Sequence, residues 1–370
     1  MITKNRVYIN YFDTISSAGF SADELLSNIC DQRECITLDK TFIKDRAVAI
    51  GKIDTTIGLN TLLLERLELL LRRLKLKDYS QTLLVIGSSV GGMSETEDIY
   101  FMDKNYKNID YKKHPIGAVA HFLKGHYSFY DDVSFSTACT SSANALGYAK
   151  EVLQKGLYKN ALVVGIDALS FTTVRGFSSL GVLSSKPCTP FSTSRDGMNV
   201  AEGLGILFLE TYARDNAVEF LGAGYSLDAH HMTQPHPEGL GAIKAMQNAL
   251  SDAKLKADDI DYINAHGTGT IANDSSESMA IETLFGSDVA ISSTKSYTGH
   301  TLGAAGAIEA IVSAMAIQKQ ILPPNKKLVD TEFSNLNYIK EPKEVKIRYV
   351  MSNSFAFGGN NTSLIFGALQ

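Results

Sequence analysis

One pattern occurs twice in this chain, 157 residues apart. A strand-like run, a Ser-Thr pair, a loop and a helix of small residues form "VSFSTACTSSANALGYA" around Thr137, and the same order returns as "VAISSTKSYTGHTLGAAGAIEA" around Thr294. A second echo links "RDGMNVAEGLGILFLE" to "SFAFGGNNTSLIFG", each a polar or glycine turn followed by an apolar strand. An internal repeat restricts the fold before any motif is weighed, because each copy must build the same supersecondary unit. Two related halves, 1–213 and 214–370, make a pseudo-twofold molecule whose equivalent loops converge on one cleft. Chemistry is expected in that cleft.

Strand and helix alternate along the whole chain, which is the pattern of an α/β protein without a linker. "RVYINYF" reads as an opening strand, and "SADELLSNI" opens a helix with a capping box from Ser21 to Glu24. "LNTLLLERLELLLRRLKL", "IGAVAHFLKGH" and "SSANALGYAKEVLQKG" read as helices; "TLLVIGSSVGG" reads as a buried strand running into a glycine-rich turn, and "VSFSTA" and "NALVVGIDAL" as strands. In the second half "EGLGAIKAMQNALSDA", "NDSSESMAIETLF" and "TLGAAGAIEAIVSAMAIQKQ" read as helices. "DIDYINAHGTGT" and "VAISSTKSYTGH" are strands ending in loops, and "VMSNSFAFGGNNTSLIFG" is two strands around a glycine turn.

At 370 residues, 44% hydrophobic and 20% charged, the chain can bury a large core in one big domain or two. Four cysteines (Cys30, Cys35, Cys139, Cys188) build no disulfide framework and no Cys-x-x-Cys pair, so a reducing cytoplasm is expected. "MITKNRVYINYF" lacks the apolar run of about 7–15 residues of a signal peptide. Longer apolar stretches are broken by charge, as "TLLLERLELLLRRL" is by Glu65, Arg66 and Glu68, so no membrane span is expected. The net charge of −5 argues against general nucleic-acid binding. The basic cluster Arg72, Arg73, Lys75 and Lys77 reads as a solvated helix end or as a meeting point for an acidic partner. "GSSVGG" has neither the Gly-x-Gly-x-x-Gly order of a dinucleotide site nor a P-loop lysine, so no nucleotide is implied. His230, His231 and His236 fit no common zinc spacing, and no metal is expected.

Cys139 sits between a strand and a helix, where the positive end of the helix dipole favours a thiolate. On position alone, a buried filler and a nucleophile both remain open. His266 in "NAHGTGT" and His300 in "TKSYTGHTLGAAG" shift that balance, because both occupy strand-to-helix corners in the opposite half, with Lys295 five residues before His300. Small residues there let a long substrate approach the backbone, and hydroxyls can hold it in register.

"STACTSSANA", "NAHGTGT", "STKSYTGHTLGAAGAIEA" and "NSFAFGGNN" together resemble the decarboxylating β-ketoacyl-[acyl carrier protein] synthases of the thiolase superfamily. "DAHHMTQPHPEG" and "PFSTSRDGMNVAEG" extend the resemblance from about residue 80 to the C-terminus, and more faintly through the first 30 residues. The resemblance implies a thiolase-like five-layered αβαβα sandwich of two pseudo-twofold halves. It implies Cys139 as the nucleophile that takes an acyl chain from a thioester, and His266 and His300 as the pair that acts on a malonyl extender. A Cys-His-Asn set would have implied the initiating, coenzyme A-primed subfamily; His300 stands where that asparagine would be.

By the same resemblance, Lys295 is the family's buried lysine and Glu309 its partner, with a purely structural ion pair as the other reading. Asp274 and Glu277 resemble supporting positions, or are a solvated helix start. Thr268 and Thr270 resemble hydroxyls that contact the phosphopantetheine arm, or stabilise the turn. The backbone N–H groups of Phe357 and Cys139 would hold the acyl thioester oxygen, and the Phe357 side chain would gate the cysteine. Here Ala356-Phe357-Gly358-Gly359 replaces the usual Gly-Phe-Gly-Gly, so gating is expected to be stiffer.

Residues 31–80 form a shorter and less helical segment than in typical elongating synthases, which points to a specialised polyene or polyketide synthase rather than a housekeeping fatty-acid enzyme. The resemblance further implies no bound cofactor, substrates carried on the phosphopantetheine of an acyl carrier protein, and a dimer with itself or with a ketosynthase-like homologue. Two rivals are weighed against the residues. A chain-length-factor-like partner subunit usually lacks the cysteine that this chain has. A degradative thiolase needs a second catalytic cysteine near the C-terminus, and no cysteine follows Cys188.

Overall fold

The structure is a computed structural model describing residues 5–76 and 79–369. The first half supplies β1 (Tyr8–Ser16), α1 (Ala22–Cys30), a small antiparallel pair β2 (Thr37–Asp39) and β3 (Val48–Ile50), α2 (Leu59–Leu74), β4 (Thr82–Gly87), α3 (Met93–Asp103) and α4 (Gly117–His126). It continues with β5 (Asp132–Phe135), α5 (Ser141–Gln154), β6 (Asn160–Asp167), α6 (Phe171–Ser179) and β7 (Gly203–Glu210). The second half supplies β8 (Val218–Leu227), α7 (Leu240–Ala253), β9 (Tyr262–Asn264), α8 (Ile271–Phe285), β10 (Ala290–Ser292), the one-turn helix α9 (Lys295–Thr298) and α10 (Ala305–Lys319). The short pair β11 (Ile321–Leu322) and β12 (Lys343–Glu344) precedes β13 (Tyr349–Phe355) and β14 (Asn360–Gly367).

The large sheet runs β10-β9-β13-β14-β8-β1-β7-β6-β4-β5. From either outer edge inward the order is the same: of the five sheet strands in that half, the third comes first, then the second, fourth, fifth and first. In each half the fifth strand, β7 or β14, is antiparallel to both neighbours, and the strands outside it are parallel. The echo between loops is therefore an echo of strand order as well. The two halves join where Tyr8 and Ile9 pair with Glu219 and Val218.

Side chains alternate across a strand, and here the two faces feed different cores. Leu83 and Val85 of β4, Val163 of β6, Val350 of β13 and Leu364 of β14 point into one central core with α5 and α10. Leu84, Ile86, Leu162 and Val164 point the other way, onto α2 and α4. Met351 and Ile365 likewise face α7 and α8. The layers are therefore helix, sheet, helix, sheet, helix, as the thiolase-like expectation requires. The middle helices are rich in Gly and Ala because they pack at backbone distance. A Cβ on Gly306 would stand 2.6 Å from the Ala143 nitrogen. Leu302–Lys319 is apolar enough by composition to span a membrane, but 89% of it is buried in this middle layer.

Three departures from the sequence reading have local causes. The opening strand runs on to Ser16. The capping box closes one residue early: Ser21 Oγ accepts from Glu24 N–H at 3.2 Å, but the Glu24 carboxylate accepts from Phe20 N–H at 2.9 Å. Helices α3 and α6 and strand β8 carry no clear sequence pattern. Helix α3 buries only Thr96, so it has no apolar face to read. Helix α6 has a local cap, Ser170 Oγ accepting from Thr173 N–H at 3.1 Å, and its Phe171 and Thr172 N–H groups donate to Glu97 at 2.6 and 2.9 Å. In β8, Gly222 and Gly224 interrupt the alternation.

Candidate active site

Cys139 lies two residues before α5, whose N-terminus has no side-chain cap. The preceding Ala138 holds φ at +52°, a left-handed conformation costly for alanine, and Ser141 Oγ and N–H donate to its carbonyl at 2.6 and 3.1 Å. This tight turn aims the thiol into a cavity of about 290 Å³ between the halves. Cys139 is only 7% exposed, and burial pushes its thiol up to about 11. The Lys295 charge and the N–H groups of Phe357 and Cys139 pull the other way without prevailing. Burial thus opposes the thiolate that the helix end favours. The Phe357 N–H lies against the thiol.

The opposite wall of the cavity is built by the second half. His266 follows β9, and the Glu277 carboxylate accepts its N–H and that of Gly267, both at 2.8 Å. Asp274 accepts from Gly269 N–H at 3.2 Å and from Phe191 N–H at 2.8 Å. Both carboxylates are fully buried, which overturns the reading of a solvated helix start. The first turns of α8 point inward and grip the backbone that carries His266. Burial raises both acids, Glu277 to about 7.

Lys295 opens α9 and is 1% exposed. Its ammonium pairs with Glu309 of α10 and stands 3.2 Å from His266 Nδ1. An ammonium only donates, so Nδ1 accepts and the imidazole proton sits on Nε2. His300 reaches the same tautomer by another route, since its Nδ1 accepts Leu302 N–H at 3.2 Å. Burial first, then the Lys295 charge, hold both rings well below the usual histidine range, with His300 adding to the effect on His266. The rings are 5.3 Å apart and nearly perpendicular, and both line the cavity with Cys139. Two neutral histidines, each with its proton on Nε2, thus line one cavity with Cys139.

Thr268 and Thr270 stabilise the turn and face the cavity. Their hydroxyls bond each other at 2.9 Å across the turn, and both line the cavity. In the "FAFGGNN" loop the positive φ angles fall on Gly358 and Gly359, not on Ala356, whose N–H donates to Asn360 at 2.8 Å. Alanine is accommodated there without strain. Gly358 N–H donates to Met232 at 2.8 Å, so this loop is pinned to the histidine-rich segment. Within that segment His231 lines the cavity, whereas His230 and His236 meet edge to face, 5.0 Å apart. Of the basic cluster, Arg72 pairs with Glu68 on the exposed end of α2, and Lys77 lies outside the described residues.

Several contributors carried no sequence signal. Asn199 accepts Cys188 N–H on its side chain and His300 N–H on its main chain, each at 2.7 Å, fixing the His300 corner from the other half. Phe177 of α6 stands 5.9 Å from Phe357 and, with Met198, forms the apolar wall beside Cys139. Phe177 belongs to a helix that periodicity does not reveal. Asn199 lies in the motif "RDGMNVAEG", but its bond to His300 exists only once the halves meet.

Comparison with known proteins agrees with this geometry. Residues 59–215 match the description "Beta-ketoacyl synthase, N-terminal domain" and residues 218–328 match its C-terminal counterpart. A "3-oxoacyl-[acyl-carrier-protein] synthase 2" from Coxiella burnetii is 37% identical over 313 residues, 76% of this chain and 74% of that one. The Staphylococcus aureus protein of the same name is 36% identical over 305 residues, 76% and 75% of the two chains. A chain from the complex of a ketosynthase with its chain length factor from Xenorhabdus doucetiae superposes with a TM-score of 0.91 at 30% identity, covering 99% of this chain and 98% of that one. A beta-ketoacyl synthase from Burkholderia phymatum superposes at 0.90 with 30% identity, covering 99% and 100%. With both halves matched in order and a thiolase-like architecture along the whole length, the chain belongs to the beta-ketoacyl synthase family.

Proposed function

We propose that this chain is a 3-oxoacyl-[acyl-carrier-protein] synthase, an acyltransferase that lengthens an acyl thioester by decarboxylative Claisen condensation. The observation that carries the reading is one cavity holding Cys139 and two neutral histidines, both with the proton on Nε2. Cys139 sulfur attacks the acyl thioester carbonyl, the Phe357 and Cys139 N–H groups take the developing oxyanion, and the carrier's pantetheine thiol leaves with a proton. Malonyl-carrier protein then enters. The His266 and His300 Nε2–H groups donate to its thioester oxygen, carbon dioxide departs, and the electron pair rests as an enolate. The enolate carbon attacks the acyl-Cys139 carbonyl, and the cysteine thiolate leaves and is reprotonated.

In this scheme Lys295 holds the His266 tautomer and Glu309 offsets its charge. Thr268 and Thr270 line the path of the pantetheine arm, and Phe357 gates it. Asp274 and Glu277 keep the His266 loop rigid. The substrates arrive on acyl carrier protein and no resident cofactor or metal is used. The protein works in the cytoplasm as a dimer, with a second copy or with a ketosynthase-like homologue. Solved relatives support that assembly: besides the Xenorhabdus complex, a chain from a type II polyketide acyl-carrier protein in complex with its ketosynthase superposes at a TM-score of 0.92 with 26% identity, covering 99% of this chain and all of that one. The polyketide setting of that complex is what supports a specialised pathway.

Intact-mass spectrometry tests the reading. Acyl-carrier proteins of varied chain length should leave an acyl adduct on wild-type protein and none on Cys139→Ala, and malonyl-carrier protein should then release an extended product. No adduct with any donor, alone or with a homologous partner present, sinks the proposal in favour of a non-condensing partner subunit.

A further inference from the structure

The turn "GSSVGG" lacks the order of a nucleotide site, yet its backbone N–H groups are engaged. They close on Asp167, the last residue of β6, which is 1% exposed. Asp167 Oδ1 accepts Ser88 Oγ at 2.6 Å and the N–H groups of Ser89 and Val90, both at 3.0 Å. Its Oδ2 accepts Ser89 N–H at 2.9 Å and, from the other half of the molecule, Gly303 N–H at 2.6 Å. Position 303 must be glycine for this approach, since a Cβ there would stand 2.7 Å from Asp167 Oδ2 and 2.6 Å from Ser89 N.

From this carboxylate a path runs to each catalytic corner. Ser89 Oγ donates to the Ala138 carbonyl at 2.9 Å, the strained residue whose φ of +52° presents Cys139. Gly303 follows Leu302, which also carries a positive φ, +53°, and whose N–H fixes the His300 tautomer. Asp167 is therefore one residue removed from each corner: Ser89 links it to the turn that aims the thiol, and Gly303 to the Leu302 peptide that fixes the imidazole. Burial raises its carboxyl to about 6, against the pull of these donors, so at neutral pH it stays ionised as the acceptor that every neighbour requires.

We infer that Asp167 is a positioning residue shared by both halves of the reaction: through Ser89 it sets the Cys139 turn, and through Gly303 and Leu302 it keeps the His300 proton on Nε2. The inference rests on the roles given to Cys139 and His300 above. One carboxylate thereby couples the nucleophile's corner to the histidine's corner across the interface between the halves.

Two variants and two half-reactions test it. In Asp167→Asn an amide N–H₂ or a lone carbonyl replaces the two acceptor oxygens, so acylation of Cys139 and decarboxylation of malonyl-carrier protein should each slow by ~10–100-fold, the range for removing an orienting partner. Ser89→Ala cuts the Cys139 arm alone. It should slow acylation about tenfold while decarboxylation stays within about twofold, a split that general destabilisation does not produce. Independently of activity, ¹⁵N NMR of histidine-labelled protein should show His300 as the Nε2–H tautomer in wild type and a growing Nδ1–H fraction in Asp167→Asn. Wild-type rates in Asp167→Asn, an unchanged His300 tautomer, or equal slowing of both half-reactions by Ser89→Ala overturns the inference. If Asp167→Asn does not fold, the Ser89→Ala split decides. If wild type itself loads no acyl chain, the enzymatic reading has failed, and the tautomer measurement still judges Asp167.

Discussion

The two halves share a strand order but turn the same corner in different ways. In the first, five residues lead from β5 to α5, and the chain absorbs the tightness as a positive φ at Ala138. In the second, the path from β10 to α10 takes twelve residues, folds α9 on the way, and is buried throughout. The short corner can do one thing, which is to aim a single side chain at the end of a helix. The long one has room for Lys295 and His300 and for the Leu302 N–H bond that sets the His300 tautomer. One scaffold used twice thus yields a thiol at one corner and a lysine and an imidazole at the other.

The largest expected effect comes from removing the short corner's one contribution. Cys139→Ala should lower condensation by at least ~10⁴-fold, measured as extended acyl-carrier product, since a missing nucleophile has no substitute. Retained condensation would erase the distinction between the corners. On the long corner, Lys295→Met strands Glu309 without a partner. Breaking a buried pair costs about 3–5 kcal/mol, read as a lower midpoint in denaturant. Lys295→Met with Glu309→Gln should recover much of that stability but not activity. Recovery of both would reduce the pair to structure.

His300→Ala should slow malonyl decarboxylation by ~10²–10³-fold while Cys139 acylation changes less than about tenfold. Equal losses in both steps would show that the halves do not divide the work. Next is the state of the thiol. With burial holding Cys139 at about 11, its thiolate fraction at pH 7 is small and rises tenfold per pH unit until that value is reached. Iodoacetamide labelling of the resting enzyme should accelerate by about a hundredfold between pH 7 and 9. A plateau by about pH 8 would mean that Lys295 and the helix end outweigh burial. The smallest effect belongs to Ala356→Gly. Because Ala356 adopts an ordinary backbone conformation, both half-reactions should stay within about twofold, against the stiffer gate expected from the sequence. A larger gain in acylation would restore that expectation.

The α/β class was legible from the alternation of strands and helices, and the family and its layered fold from the resemblance carried by "STACTSSANA", "NAHGTGT", "STKSYTGHTLGAAGAIEA" and "NSFAFGGNN". The strands "TLLVIG" and "NALVVGID" and the helices α5 and α10 were legible as elements, but which core each side chain enters was not. What was not legible depends on meetings between distant segments. Asp274 and Glu277 read equally well as solvent-facing until α8 is seen with its first turns pointed inward. The thiol's elevation follows from burial by the opposite half, which no property of "STACTSS" encodes. Two N–H groups of helix α6 bond to Glu97, more than 70 residues earlier. The tautomers of the two histidines are the sharpest case. One is set by Lys295, 29 residues further along the second half, and the other by Leu302 N–H in a turn held at a φ of +53°, bonds of about 3 Å that residue spacing does not reveal. The sequence alone thus determined which groups are present and on which corner each sits. Their protonation and aim were decided by tertiary structure, because desolvation and hydrogen bonding depend on what surrounds a group rather than on what precedes it in the chain.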